Sequence, residues 1–248
     1  MQKRYNSKLN ELGSLMIEAM AMLALISMVT PILYKKAAER TTELQDINAA
    51  SQMRALIKSL DDYVSDHYDD IVQGKTVTQN CNTASVNYSD MKATTGPSNQ
   101  KKTIPINHFC EYLPYGFLDS SKNAQSSKTF SSNYRVVLKK VDGGNGRKRV
   151  VTAFLATEPS NGDNFPKLRA SRIASMIGSN GGYITVEGGT ASAMGSQGIW
   201  SVSNLNNDLG LAANSVKDGA IIASSVQGIA AQGGVDNENV LYLSLIHI

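Results

Sequence analysis

The chain has 248 residues, with 24 Lys and Arg against 21 Asp and Glu, a formal charge of +3. At 42% hydrophobic and 18% charged, it is neither a charge-rich disordered chain nor a multi-span membrane protein. So small a charge, with no basic stripe interleaved with aromatics, implies no nucleic-acid partner, and two Cys exclude a disulfide-dense scaffold.

Met1 to Gly13 is short and polar, carrying Lys3, Arg4 and Lys8 against Glu11. From Leu15 to Leu33 the chain is apolar, and Glu18 is its one ionisable residue. A run of about twenty apolar residues spans a bilayer as a helix. Lys35, Lys36 and Arg40 follow it. A basic flank before an apolar stretch also describes a secretory signal peptide. Two details argue against that reading. No small-x-small cleavage site closes the run, since Ile32-Leu33-Tyr34 stands there, and a carboxylate sits inside it. A charge in hydrocarbon is costly unless paired, so Glu18 reads as functional; a plain anchor with a tolerated Glu is the plainer alternative.

The stretch Glu11-Leu-Gly-Ser-Leu-Met-Ile-Glu18 resembles the type IV prepilin junction. That family has a short basic leader, a Gly before the cut and a Glu five positions into the mature protein. Glu18 is fifth when counted from Ser14. The resemblance implies a leader over 1–13, removed after Gly13 by prepilin peptidase, and N-methylation of the new Ser14 amine. Ser14 departs from the commoner Phe at that place. It also implies assembly with other pilin subunits, with Glu18 paired to the Ser14 amine of a neighbour. Either charge alone is costly near hydrocarbon, and the pair offsets both desolvations.

Beyond Lys36 the pattern becomes amphipathic. Leu44, Ile47, Ala50, Met53, Leu56, Ile57, Leu60, Tyr63, Val64, Tyr68 and Ile71 recur at helical steps, with Glu43, Asp46, Arg54, Lys58, Asp61 and Asp62 assigned to the other face. One helix is expected over 14–73, with residues 15–33 in the membrane and Gly74 as C-cap. Its length would be roughly 85–90 Å at ~1.5 Å per residue. Pro31 removes one backbone bond and is expected to kink or locally melt it. A coiled-coil stalk is the alternative, but the stripe is not a clean heptad seam.

Lys75 to Lys102 is polar, contains Gly96-Pro97, and reads as a long irregular loop. It holds Cys81, and Cys110 lies 29 positions on. One disulfide is the simplest reading for an exported chain. Free thiols are a rival, and so is zinc bound through Cys81, His108 and Cys110. Zinc is disfavoured because the spacing is too close and a fourth ligand is missing. Pilins typically bracket a C-terminal segment with their cysteines, so this position departs from the resemblance.

Tyr134 to Val141 and Arg147 to Leu155 flank a Gly/Asn turn and read as a hairpin. Asp163 or Asn164 is expected to cap a short helix with Pro166 in its first turn. Ala170, Ile173, Ala174 and Ile177 form its apolar face, and Gly178 ends it. Gly178 to Gly182 reads as a helix-to-strand turn, not a phosphate cradle, because no helix follows it. Tyr183 to Glu187 reads as a strand.

The series Tyr112-Leu-Pro-Tyr-Gly-Phe117, Tyr134 to Lys139, the hairpin, Ser171 to Gly178, Gly181 to Ile184 and Gly195-Ser-Gln-Gly-Ile-Trp200 resembles the shufflon protein N-terminal constant region. That region belongs to pilin-like tip adhesins of thin conjugative pili and is also similar to minor pilins of type IVb pili. The fold so implied is α+β: a long N-terminal helix, membrane-spanning in its first half, packed on an antiparallel β-sheet head. The head is expected over 74–205, and a Gly/Ala/Ser-rich stalk is expected to begin over 206–242, with Gly219 to Val226 as one of its strands. Leu243-Ser-Leu-Ile-His-Ile248 looks like an in-frame translation of a transposase sequencing adapter and is set aside as an artefact.

No catalytic set emerges. His67 sits among Asp66, Asp69 and Asp70, but adjacent acids on a helix point to different sides, and a solvated face is the better reading. No nucleophile elbow, zincin motif or dinucleotide fingerprint occurs, so neither an enzyme nor a cofactor or metal is expected. The expected function is that of a minor type IV pilin or pilus tip adhesin. It would sit in the bacterial inner membrane as a precursor, then in an extracellular pilus that contacts a surface or recipient cell. A cell-surface glycan or lipopolysaccharide would be met through a missing C-terminal part. The alternative is a major type IVb pilin or a secretion pseudopilin, purely structural.

Overall fold

A computed structural model describes residues 2–92, 98–118, 132–142, 149–159, 165–211 and 216–228. The hairpin turn over 143–148, the expected caps Asp163 and Asn164, Gly96-Pro97 and the segment 243–248 lie outside the described residues. The chain forms two compact units, Met1–Gln45 and Asp46–Ile248.

Helix α1 is Gln2–Asp66 and α2 is Tyr68–Gln73. One helix was expected over 14–73; the break at His67, with φ −105° and ψ 14°, is a correction. The chain direction survives it, because His67 N–H donates to the Tyr63 carbonyl at 3.1 Å and Ile71 N–H to the His67 carbonyl at 2.9 Å. Helix α1 also runs unbroken through Pro31, so the expected local melting does not occur. Proline forfeits one bond, which a helix this long tolerates. Gly74 ends α2 in the left-handed region, at φ 72°. The Lys75 N–H then reaches back to the Asp70 carbonyl at 2.9 Å, closing the helix in a Schellman-like turn.

The expected loop after Lys75 is corrected to a small antiparallel pair, β1 (Thr76–Gln79) and β2 (Asn82–Asn87). Its sequence lacks an apolar run because, among the pair's described side chains, Val77 is the one buried apolar residue. A 3-10 turn, Ser89–Met91, follows. Next come β3 (Ser98–Ile104), a second 3-10 turn Ile106–Phe109, β4 (Ser132–Asp142) and β5 (Arg149–Pro159). Strands β4 and β5 form the expected hairpin, with Tyr134 opposite Thr157 and Val141 opposite Val150.

Helix α3 is Lys167–Ile177, with Pro166 at its N-cap and not, as expected, in its first turn. Its buried face is Ala170, Ile173, Ala174 and Ile177, as the spacing predicts. Strands β6 (Gly181–Glu187) and β7 (Thr190–Gly195), the two-residue β8 (Ser201–Val202) and helix α4 (Leu205–Leu209) complete that half.

The last described element is β9 (Ile221–Gly228). It lies in the middle of a seven-stranded sheet ordered β3-β4-β5-β9-β6-β7-β8, antiparallel to both β5 and β6. The expected head boundary at 205 is therefore corrected: β9 is a central strand, not the start of a stalk. Its first five residues are buried, which explains the apolar, small-residue sequence that reads as a stalk strand.

The sheet buries both faces. On one, Met53, Leu56, Leu60, Tyr63 and Val64 of α1 and Ala170, Ile173 and Ile177 of α3 meet Val136, Leu138, Val151, Leu155 and Ile221. On the other, Leu205 and Leu209 of α4 and Leu211, Val216 and Ala220 cover Val137, Phe154, Ile184, Ala193 and Ile222. The indole of Trp200, the chain's single Trp, lies over Gly182 and Gly195, where an added Cβ would fall 2.7 Å and 2.9 Å from ring atoms. These two glycines are required by that close approach.

Candidate membrane and assembly segment

The apolar segment is the N-terminal part of α1. Every large apolar side chain from Met16 to Leu33 is exposed, from 49% at Val29 to 71% at Ile17. The exposed apolar side chains lie on all sides of the helix, a pattern compatible with a surrounding apolar medium. Two hydroxyls interrupt the run. Ser27 Oγ donates to the Ala24 carbonyl at 2.8 Å and Thr30 Oγ1 to the Ile26 carbonyl at 2.6 Å. Both polar groups are thereby satisfied within the helix, as hydrocarbon demands. This is the one helix among the described residues long and apolar enough to cross a bilayer, and its place near the N-terminus is compatible equally with a membrane anchor and a signal sequence.

Glu18 is exposed within this run. Among the described residues no hydrogen bond or ion pair reaches its carboxylate. Gly13 and Ser14 fall inside α1 by backbone; their side chains are outside those described.

Sequence reasoning misphased the second half of α1. The periodicity places Leu44 and Ile47 on the core stripe, but they are 60% and 47% exposed. The same periodicity places Asp46 on the polar face, but it is fully buried. The inward arc runs 46, 49, 50, 53, 56, 57, 60, while Ile47 shares the outer face with Ser51, Arg54 and Lys58. Asp46 is held by two guanidinium groups of α3: Arg169 Nε at 2.6 Å, and Arg172 Nη2 in close contact. Arg169 also lies 4.7 Å over the Phe165 ring. The missed signal was the Arg169/Arg172 pair three residues apart on the α3 pattern, which needs an acid to face.

At the far end of α1 a buried polar chain ties the helix to the small hairpin. Tyr63 and Tyr88 hydroxyls are 2.7 Å apart, and His108 Nε2 is 3.0 Å from the Tyr63 hydroxyl. Tyr63, Tyr88 and His108 are all fully buried. Burial pushes the Tyr63 phenol well above its ordinary range, reinforced by the Tyr88 hydroxyl beside it. Burial likewise raises Tyr88 and Tyr134. Tyr112 rises to about 12, first through burial and then through its bond to Asp66 Oδ2 at 3.0 Å.

Cys81 and Cys110 form a disulfide, with Cα atoms 6.2 Å apart. It joins the β1–β2 turn to the 3-10 turn that carries His108 and Phe109 inward. The disulfide leaves neither sulfur to zinc. His67 is not on a freely solvated face: its ring packs 5.0 Å from Tyr63, and its Nε2 lies 3.0 Å from Gln79 Nε2. Among the described residues no group of three or more His, Cys, Asp or Glu is placed to hold a metal ion.

Two shallow grooves mark the described surface. One is lined by Arg54, Ile57, Lys58, Asp61, Ile177 and Asn180. There Arg54 donates to the Met176 carbonyl and Asp61 accepts from Ser225 Oγ, so both charged groups serve the packing. The other runs beside Ser51 and Gln52 of α1 to Tyr115 and Phe117. Neither groove lining contains a nucleophile with a base beside it. No family model, curated protein or solved structure matches the chain.

Proposed function

We propose that this chain is a type IV pilin subunit of the minor, shufflon-type class. In this reading prepilin peptidase removes residues 1–13, the mature chain waits in the inner membrane by its apolar helix, and the head is exported. Assembly then transfers that helix from lipid into a filament of like helices. The observation that carries the reading is Glu18: a carboxylate without a partner among the described residues, on the stretch 16–33 whose large apolar side chains are exposed. In lipid or in a filament core such a group needs a counter-charge, and a neighbour's Ser14 amine supplies one. The disulfide supports export to an oxidising compartment.

One observation favours the plainer alternative of a major pilin or pseudopilin. Residues 221–228 belong to the head core, so the chain after 205 no longer argues for a stalk. The adhesin reading then rests on the motif series from Tyr112 to Trp200 and on whatever follows Gly228. The contiguous gene separates the two: a long extension with a distinct terminal domain supports the adhesin, and a stop soon after residue 242 supports the structural subunit.

The test of the common premise is Glu18→Ala. Processing at Gly13 should continue, and incorporation into filaments should be lost. Normal incorporation of the variant would remove the basis of the proposal.

A further inference from the structure

Asn87-Tyr88-Ser89 is the one Asn-x-Ser/Thr in the whole sequence. Asn87 is exposed and ends β2, where it faces Thr76 of β1. The small sheet has two strands, so among the described residues no further strand pairs with β2. Ser89 is also exposed. Tyr88 between them is fully buried, with its N–H on the Lys75 carbonyl at 3.0 Å and its hydroxyl on Tyr63. The buried middle residue therefore pins the tripeptide, and both functional residues stay at the surface.

The carboxamide is oriented as well as exposed. Asn87 Oδ1 accepts the Ser89 N–H at 2.8 Å, an Asx turn. This holds the oxygen toward the backbone and leaves Nδ2 as the outer end. Among the described residues no hydrogen bond engages Nδ2. We propose that Asn87 is an acceptor for an N-linked glycan, with Ser89 as the recognition hydroxyl. The donor class is an oligosaccharide linked to a lipid diphosphate. Nδ2 attacks the anomeric carbon, a C–N bond forms, the C–O bond to the diphosphate breaks, and the lipid diphosphate leaves with the electron pair. Nδ2 gives up one proton, which passes to the departing diphosphate or to water.

In a cell the modification rests on export of the head, because lipid-linked donors are used outside the cytoplasm. The decisive arm avoids that dependence. Purified full chain in detergent is incubated with a single-subunit oligosaccharyltransferase requiring only Asn-x-Ser/Thr, and with its lipid-linked donor. Intact mass should rise by one glycan. Asn87→Gln and Ser89→Ala should each abolish the rise, and Ser89→Thr should keep it. Thermal melting of each variant checks that the head is folded. No added mass on the parent chain, or added mass that persists in Asn87→Gln, would overturn the proposal. A second arm expresses the chain in cells carrying the same enzyme. Modification in the purified arm but not in cells would keep Asn87 as acceptor and count against export.

Discussion

Asp46→Asn keeps the size of the side chain and removes its charge, at the point where α1 enters the head. Asp46 is fully buried and answers two cations of α3, Arg169 and Arg172, whose side chains are 25% and 49% exposed. Removing one partner of a buried pair costs about 3–5 kcal/mol when the other charge is left buried. Here both guanidinium groups reach water and can rehydrate, so the cost should fall to about 2 kcal/mol, the worth of a charge-assisted bond. For a head of this size that lowers Tm by about 4–8 °C. Circular dichroism melts of the full chain in detergent read this directly. A cycle with Arg172→Met should return a coupling of about 1 kcal/mol or more between positions 46 and 172. A Tm unchanged within 1–2 °C, roughly the cost of a solvated surface pair, would refute the buried clamp and restore Asp46 to the polar face.

Three other outcomes follow from the fold. A chain ending at residue 205 should fail to fold, whereas one ending at 228 should melt cooperatively, because among the described strands β9 is what joins β5 to β6 in the sheet. Tyr63, Tyr88, Tyr112 and Tyr134 have phenols raised above the ordinary value of 10.0. The folded head then binds more protons than the unfolded chain above pH ~10, so stability is full below that pH and falls as pH climbs beyond it. Absorbance at ~295 nm should show the buried phenols of the ten tyrosines ionising only as the head unfolds; simple titration of all ten at the ordinary value would contradict their burial. For Glu18→Ala, unchanged processing with lost assembly separates a role in filament register from a role in cleavage.

Much of the fold was legible because its signals were local. The apolar run, the β4–β5 hairpin, the face of α3 and its Gly178 end all follow from spacing and turn residues within one element. What escaped was non-local. Strand β9 is legible as a strand over Gly219 to Val226, but its place inside the head sheet is not, because both its neighbours lie far away in sequence and nothing local tells a central strand from a stalk strand. Strands β1 and β2 were hidden because exposed short strands need no apolar alternation. The phase of α1 was misread because its first inward position is an acid, and hydrophobic periodicity cannot register a charge that is buried by two arginines. In the apolar segment the run and Glu18 are legible in the sequence, whereas the hydroxyls of Ser27 and Thr30 are seen to be satisfied only once the helix is formed.

The most direct test of the central claim is the mass of the mature N-terminus, from chain expressed with prepilin peptidase and purified from membranes or filaments. The account predicts a chain that begins at Ser14, heavier by one methyl group on the amine and lacking residues 1–13. A chain that still begins at Met1, or one cut after the apolar run near Tyr34 as a secretory signal would be, contradicts it.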